Sequence, residues 1–232
     1  MKLKTTYLAA MMALGMALSS QAAVVGGQDY IVLEEPVAQQ QADKVEVTEF
    51  FSYTCVHCYH LNPVLLKHAK TWSKDVYLRP IHVVWDAGQT NLARVAAAVN
   101  SSGLKYQADN AVFQAKFEQQ IALEDEATFK KWAAAQTTFD GKKLIAAYDS
   151  FSNQAQAKQM ADLTSQYNIQ GTPTVIVGGK YQMKFTSPDW EQNMQKVNEM
   201  IAKVKAERGM PASKPAAQVR SRGAALARAA NQ

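Results

Sequence analysis

The chain has 232 residues, an apolar fraction of 47% and a formal net charge of +5. This apolar fraction is ordinary for a globular protein with a core and excludes a compositionally disordered chain. The positive charge belongs to the two ends, because Lys2 and Lys4 open the chain and residues 210–232 hold four cations and no acid, which leaves about −1 for residues 23–209. A nearly neutral folded part gives no support for a nucleic-acid groove.

The first 22 residues have the three parts of a secretory signal peptide. Lys2 and Lys4 form a positive segment, an apolar stretch runs from about residue 7 to 18, and Ser20-Gln21-Ala22 supplies small residues for cleavage after Ala22. The apolar run is shorter than the roughly 20 residues that span a bilayer. We therefore predict a cleaved signal peptide at 1–22 and a soluble, secreted mature protein with no membrane anchor.

The first half of the mature chain predicts a strand, a helix and a second parallel strand. A short strand is predicted at 30–33, and the β-branched and aromatic residues of 45–51 are typical of a buried strand. A helical pattern follows from 56 to about 72, with Pro63 inside it, and a strand is predicted over 76–85. These elements form a β-α-β unit with parallel pairing.

The second half predicts a helical block and then a hairpin. Residues 91–167 have apolar faces at helical spacing. Strands are predicted at 174–177 and 180–183, joined by a turn at Gly178-Gly179. A last helix is predicted to about residue 208, with Ser187 as its N-cap and Pro188 as its first residue. We predict one domain from 23–88 and 165–208, an inserted helical domain at 89–164, and a basic disordered tail at 209–232.

The only two cysteines, Cys55 and Cys58, are separated by two residues. A structural disulfide closing so short a loop would contribute only about 2 kcal/mol, and a chain of this size has a core that does not need it. A metal site would have to recruit His57 and His60, but adjacent residues on one helical turn point apart, and closed zinc sites usually take ligands from two segments. The spacing favours reversible redox chemistry and no bound metal.

A cysteine at the start of a helix is suited to thiol-disulfide exchange. Unpaired backbone N–H groups and the helix dipole favour a thiolate on Cys55, and a protonated His57 would stabilise it further. A thiol of low pKa is also a good leaving group, so a disulfide made through Cys55 is readily transferred. Cys58, one turn further in, is expected to be the more buried, resolving thiol.

A second motif, Gly171-Thr172-Pro173-Thr174, stands directly before an apolar strand. Proline at the start of a strand can be cis. A cis Pro173 beside the cysteine pair would leave the backbone of Thr172 free to pair with an extended substrate chain. We therefore treat Thr172 and Pro173 as candidate substrate-binding residues.

The segment Glu49-Phe50-Phe51-Ser52-Tyr53-Thr54-Cys55-Val56-His57-Cys58-Tyr59, the helical block and Gly171-Thr172-Pro173 together resemble the DsbA family of periplasmic thiol:disulfide oxidoreductases. Val56-His57 is most similar to the neisserial-type members. The resemblance implies an α/β fold, a thioredoxin fold with an inserted all-helical domain, and oxidation of newly exported proteins. It also implies a DsbB-type membrane quinone reductase as re-oxidant, Pro173 as the cis-proline, and Glu49 as a buried acid that moves protons at Cys58.

Two other functions remain open from the sequence. A disulfide reductase or isomerase would normally have a dimerisation module, and we find none, so we expect a monomer. A non-catalytic chaperone could use the same scaffold. We expect a protein dithiol oxidase of the periplasm that needs no cofactor, with reduced exported proteins as substrates.

Overall fold

The structure is a computed structural model that describes residues 23–212. The predicted signal peptide and all but the first residues of the predicted tail lie outside this range. Within it, the chain forms five β-strands, a short 3₁₀ turn and seven α-helices. The strands are β1 Tyr30–Val32, β2 Val45–Phe51, β3 Val76–His82, β4 Thr174–Val177 and β5 Tyr181–Met183.

The helices alternate with the strands at both ends of the chain and follow one another in the middle. They are α1 Val56–Ala69, α2 Thr90–Ser101, α3 Lys105–Phe117, α4 Glu126–Ala134, α5 Gly141–Tyr148, α6 Phe151–Gln166 and α7 Trp190–Glu207. The helices α2 to α6 therefore all lie between β3 and β4 in the sequence. This order confirms the predicted β-β-α-β, helical block, β-β-α arrangement, while the proposed domain boundaries stay a prediction.

The strands form one sheet in the order β1-β5-β4-β2-β3. Strand β2 is an inner strand that is buried along its whole length, with β3 parallel on one side and β4 antiparallel on the other. Glu49 of β2 faces Pro80 of β3 and Val175 of β4 in the register. The predicted β-α-β unit is confirmed, since β2, α1 and β3 follow in sequence with parallel pairing.

Two apolar clusters hold the sheet and the helices together. One joins the end of β2 and the segment after it to the helical block, and it includes Phe51, Tyr53, Phe113 and Phe129. The other packs α1 and α7 against β2 and β4, and it includes Leu65 and other apolar residues of these elements. Helix α3 packs against α1, so the inserted block reaches the start of the cysteine-bearing helix.

Several predicted ends are wrong by a few residues, each for a local reason. Helix α7 begins at Trp190 with Asp189 as N-cap, because the Asp189 side chain accepts a hydrogen bond from the Glu191 N–H at 2.9 Å. The predicted cap, Ser187, instead accepts from the N–H of Asp189 at 3.0 Å, in the turn before the helix. Strand β3 ends at His82, because the Val84 N–H turns away to Thr164 Oγ1 at 3.2 Å. Helix α1 ends at Ala69.

Candidate active site

Cys55 lies between strand β2 and helix α1. Strand β2 ends at Phe51, and a turn closed by a bond from the Cys55 N–H to the Ser52 carbonyl, 3.0 Å, brings the chain to α1. Cys55 is the N-cap of α1, with extended backbone angles, and its Sγ accepts from the N–H of Cys58 at 3.2 Å. The sulfur is thus placed where unpaired helix N–H groups converge.

The environment of Cys55 lowers the pKa of its thiol from 9.0 to about 5. The hydrogen bond with the Cys58 side chain is the largest cause, and a hydrogen bond with Thr172 and the backbone amides of Cys58 and His57 act in the same direction. Partial burial opposes them. Cys55 is therefore a thiolate at neutral pH, as expected for a cysteine at a helix N-terminus.

Cys58 lies one turn inside the helix and is fully buried. Its pKa is raised far above that of an ordinary thiol, first by burial, then by the hydrogen bond with Cys55, and further by the charge of Glu49. The two sulfurs therefore differ in both access and charge. This is the arrangement expected of an attacked sulfur and a resolving sulfur.

Thr172 and Pro173 lie against Cys55 although 117 positions separate Thr172 from it. The Thr172–Pro173 peptide bond is cis, as predicted, and the Thr172 carbonyl oxygen is 3.3 Å from Cys55 Sγ. Pairing of β4 with β2, which sets Thr174 opposite Phe50, brings this turn to the start of α1. The two sequence motifs thus form one site.

Glu49 lies on the inner strand β2, and only 3% of its surface is exposed. Burial raises its pKa well above that of an ordinary carboxyl group, and the charges of Asp109 and Cys55 act in the same direction. The charge of Lys105 acts the other way. A carboxyl group in this setting favours its protonated form more strongly than an exposed carboxyl group does, and it lies close to the cysteine pair.

Comparison with known proteins agrees with this geometry. A family model described as a DSBA-like thioredoxin domain matches residues 80–202. A thiol:disulfide interchange protein DsbA of Burkholderia cepacia is 34% identical over 181 residues, which are 78% of this chain and 85% of that protein. This chain belongs to the DsbA family.

Two solved DsbA structures of Neisseria meningitidis extend the comparison to three dimensions. Reduced DsbA1 superposes with a TM-score of 0.77 at 49% identity, covering 81% of this chain and 98% of that one. DsbA3 superposes with a TM-score of 0.71 at 52% identity, covering 80% and 100%. The DsbA-family chain described here therefore has the predicted thioredoxin fold with a helical insertion and is a thiol:disulfide oxidoreductase.

His57, which the sequence predicts as a partner of the Cys55 thiolate, lies near the start of α1. His57 is exposed, and its ring centroid lies 6.4 Å from that of Trp190. Only its backbone amide contributes to the low pKa of Cys55. A direct role for the imidazole of this DsbA-family member stays a prediction.

An apolar groove beside Cys55 was not foreseen from the sequence. It has a volume of about 540 Å³ and includes Phe185 and Trp190, whose rings meet edge to face at 5.7 Å. Its other lining residues are His57, Pro173, Met183, Ser187 and Pro188. Phe185 and Trp190 are close in sequence, but their approach to Pro173 and His57 depends on long-range packing and leaves no local signal.

A buried cluster of ionisable groups behind Cys58 was also missed. The Tyr53 hydroxyl donates to Asp109 Oδ1 at 2.5 Å, and both residues are buried, while Lys105 stands one turn before Asp109 on α3. Charged residues on a helix usually face solvent, so the pattern of α3 gave no reason to bury Asp109. The only hint was its position directly after the core residue Ala108.

Proposed function

We propose that this oxidoreductase is a protein dithiol oxidase in which Cys55 is the sulfur attacked by a substrate thiolate and Cys58 is the resolving thiol. The observation that carries the assignment is the position of Cys55, an N-cap sulfur with a pKa of about 5 beside Thr172 and Pro173. A thiol that strongly favours its ionised form is stabilised in the reduced state, so its disulfide oxidises other dithiols.

The reaction runs in two exchanges that start from the Cys55–Cys58 disulfide. A substrate thiolate attacks Cys55 Sγ, the bond between the two cysteine sulfurs breaks, and the electron pair leaves on Cys58 Sγ. Because the pKa of Cys58 is raised, this sulfur takes up a proton, which the protonated Glu49 carboxyl group supplies. A second substrate thiolate then attacks the substrate sulfur and expels Cys55 as a thiolate, which leaves a substrate disulfide and a reduced enzyme.

The surroundings of Cys55 fit an extended, partly apolar polypeptide. Thr172 lies in the turn before β4, where its backbone can pair with a substrate strand beside the sulfur. The groove of Phe185, Trp190 and Pro173 lies next to this turn and can receive an apolar side chain of the same substrate. Reduced, unfolded proteins present such segments, because their apolar residues are not yet buried.

The substrates of this scheme are newly exported proteins of the periplasm. The signal-like segment at residues 1–22 supports this location, and disulfides persist in such compartments. Among residues 23–212, no helix combines the length and the apolar character that a membrane crossing requires. Each turnover leaves a dithiol, so the enzyme needs a re-oxidant, and a DsbB-type membrane quinone reductase supplies this role in the scheme.

The deciding experiment is oxidation of a reduced two-cysteine peptide by the purified, oxidised protein. We expect stoichiometric peptide disulfide from the wild type and none from Cys55→Ser. Cys58→Ser is the matched variant, because it keeps the attacked sulfur and should accumulate a mixed disulfide through Cys55 that mass spectrometry detects. Peptide oxidation by Cys55→Ser would overturn the assignment.

A further inference from the structure

The buried cluster behind Cys58 has a role that the sequence motifs do not describe. Asp109 has 4% of its surface exposed, and its carboxylate accepts the hydroxyl of Tyr53, which is fully buried. Burial of a carboxylate is costly unless it is hydrogen-bonded and paired. The partners of this carboxylate therefore define what it does.

Tyr53 is held from its other side by strand β3. Its backbone N–H donates to Nε2 of the buried His82, at 3.1 Å, and His82 Nδ1 bonds the Val83 carbonyl at 2.7 Å. Burial lowers the pKa of His82 to about 4, so the ring is neutral and adds no charge to the cluster. The Tyr53 hydroxyl is thus a fixed donor that positions the Asp109 carboxylate.

Lys105 is the cation of the cluster. It lies four residues before Asp109 on α3, on the same side of the helix, and its Nζ donates to the Leu78 carbonyl of β3 at 3.3 Å. Leu78 is two residues before Pro80, the register partner of Glu49. The ammonium group is therefore held on the edge strand β3, which pairs directly with the strand that carries Glu49.

The same lysine faces solvent through a groove. This groove has a volume of about 360 Å³ and lies beside β3, with Lys105, Leu78, Pro80, Asn100 and Met160 in its wall. Burial lowers the pKa of Lys105 to about 8, while Asp109 and Glu49 act to keep it charged. Lys105 is accordingly a cation at neutral pH with access to bulk water.

Glu49 is faced by charges of both signs. Helix α3 brings the Asp109 carboxylate and the Lys105 ammonium, α1 brings the Cys55 thiolate and the Cys58 thiol, and Tyr53 adds a hydroxyl. Asp109 and Lys105 act on the Glu49 carboxyl group in opposite directions. Both come from the inserted helical block.

We propose that Asp109 and Lys105 are positioning residues that set the protonation state of Glu49, with Asp109 favouring the carboxylic acid and Lys105 favouring the carboxylate. The inference rests on the proposed role of Glu49 as the proton donor to Cys58. A proton is needed when Cys58 leaves as a thiolate and must be released when the disulfide forms again. An anion raises the pKa of a nearby carboxyl group and a cation lowers it. With both nearby, the carboxyl group can donate a proton in one half-reaction and accept one in the other.

The test measures Glu49 directly by carbon NMR of glutamate labelled at the side-chain carboxyl carbon, with the signal assigned by its loss in Glu49→Gln. The titration is run on the oxidised protein, so that neither cysteine titrates. We expect Asp109→Asn to lower the Glu49 midpoint and Lys105→Met to raise it, each by about one pH unit. This value is the low end of the pKa shifts that a nearby charge causes. Lys105→Arg keeps the cation and should keep the wild-type midpoint.

Two variants serve as controls for changes in total charge. Lys116→Met removes a cation from α3 that pairs with Glu124, and Asp162→Asn removes an anion from α6 that pairs with Lys158. Both should leave the Glu49 midpoint unchanged. The Asp109→Asn side chain retains an oxygen that can accept the Tyr53 hydroxyl, and should this variant still fail to fold, the Lys105→Met and Lys105→Arg pair decides.

Exchange kinetics give a second, independent readout. At neutral pH, Asp109→Asn should slow the first exchange with a reduced peptide about threefold to tenfold, and Lys105→Met should not slow it. The slowing by Asp109→Asn is a small part of the rate that a general acid usually contributes. An unchanged Glu49 midpoint, or shifts of the same sign in both variants, would overturn the proposal. Peptide oxidation by the wild type is scored separately, so this failure would leave the oxidase assignment intact.

Discussion

The two sides of the cysteine pair differ in almost every physical property. On the outer side, Cys55 is half-buried beside an apolar groove and a turn with an available backbone. On the inner side, Cys58 is sealed from solvent and faces Glu49 and the ionisable groups of α3. One side is built to meet a polypeptide and the other to handle a proton.

The difference explains why a buried acid is useful in this enzyme. In the first exchange of the proposed scheme the departing sulfur is Cys58, whose raised pKa makes it a poor leaving group as a bare thiolate. In the second exchange the departing sulfur is Cys55, which leaves readily because its pKa is about 5. Only the first step needs a proton donor, and Glu49 lies on the side where that step ends.

The largest expected contrast is in the alkylation of the two thiols of the reduced protein. With a pKa of about 5, Cys55 is almost fully ionised at pH 7, whereas Cys58 is almost fully protonated and buried. We expect iodoacetamide to modify Cys55 at least about 100-fold faster than Cys58, with a midpoint near pH 5 for Cys55. Peptide mapping by mass spectrometry reads each site, and a Cys55 midpoint near pH 9 would remove the contrast.

The second expectation concerns the stability of the two redox forms. The lowered pKa of Cys55 stabilises the folded, reduced form fully above the ordinary thiol pKa and progressively less as pH falls toward about 5. Cys58 adds little slope below about pH 8, because its raised pKa keeps it protonated in the folded chain and an ordinary thiol in the unfolded chain is still mostly protonated there. We therefore expect the reduced form to have the higher thermal midpoint at pH 8.

Calorimetry of both redox forms between pH 8 and pH 5 measures this difference. It should shrink steadily as the pH is lowered, since the oxidised form has no thiol to ionise. A disulfide form that is more stable than the dithiol form at pH 8 would contradict the oxidase assignment.

The smallest expected effect is that of removing the acid on the inner side. Glu49→Gln should slow the first exchange about tenfold at neutral pH, below the usual contribution of a general acid, because water also supplies protons. Stopped-flow kinetics with a reduced peptide measures this rate, with Glu124→Gln, a change to a partly exposed glutamate, as control. Rates equal to the wild type, in a folded Glu49→Gln variant, would return Glu49 to a structural role.

The outer side could largely be predicted from the sequence, whereas on the inner side the sequence predicts Cys58 and, through the family resemblance, a buried Glu49, but not the ionisable groups of α3. Cys55, Cys58 and Pro173 belong to short motifs whose local chemistry is readable, and strand periodicity gave β2 and the β4–β5 hairpin. Asp109 and Tyr53 are 56 positions apart, and their contact depends on how α3 packs against α1. Such a pair has no local pattern, because long-range packing decides which charged residue of a helix is buried.

The groove beside Cys55 could not be predicted from the sequence either. The sequence predicts that α7 starts at Ser187, but Phe185 lies before the helix and Trp190 lies inside it with either start. The structure caps the helix at Asp189 instead and leaves a loop between β5 and α7. The groove forms because the chain brings these two rings to Pro173 and His57, which are distant in sequence, so no local pattern predicts it.

Strand β3 forms one outer edge of the sheet, and this position matters for an enzyme that handles unfolded chains. An open edge would invite such chains to add as extra strands and aggregate. Pro80 offers no N–H there, while Lys105 and Asn100 donate to the carbonyl groups of Leu78 and Pro80. These contacts leave fewer backbone groups of β3 open to strand addition, and in the proposed scheme a client chain pairs at the turn of Thr172 instead.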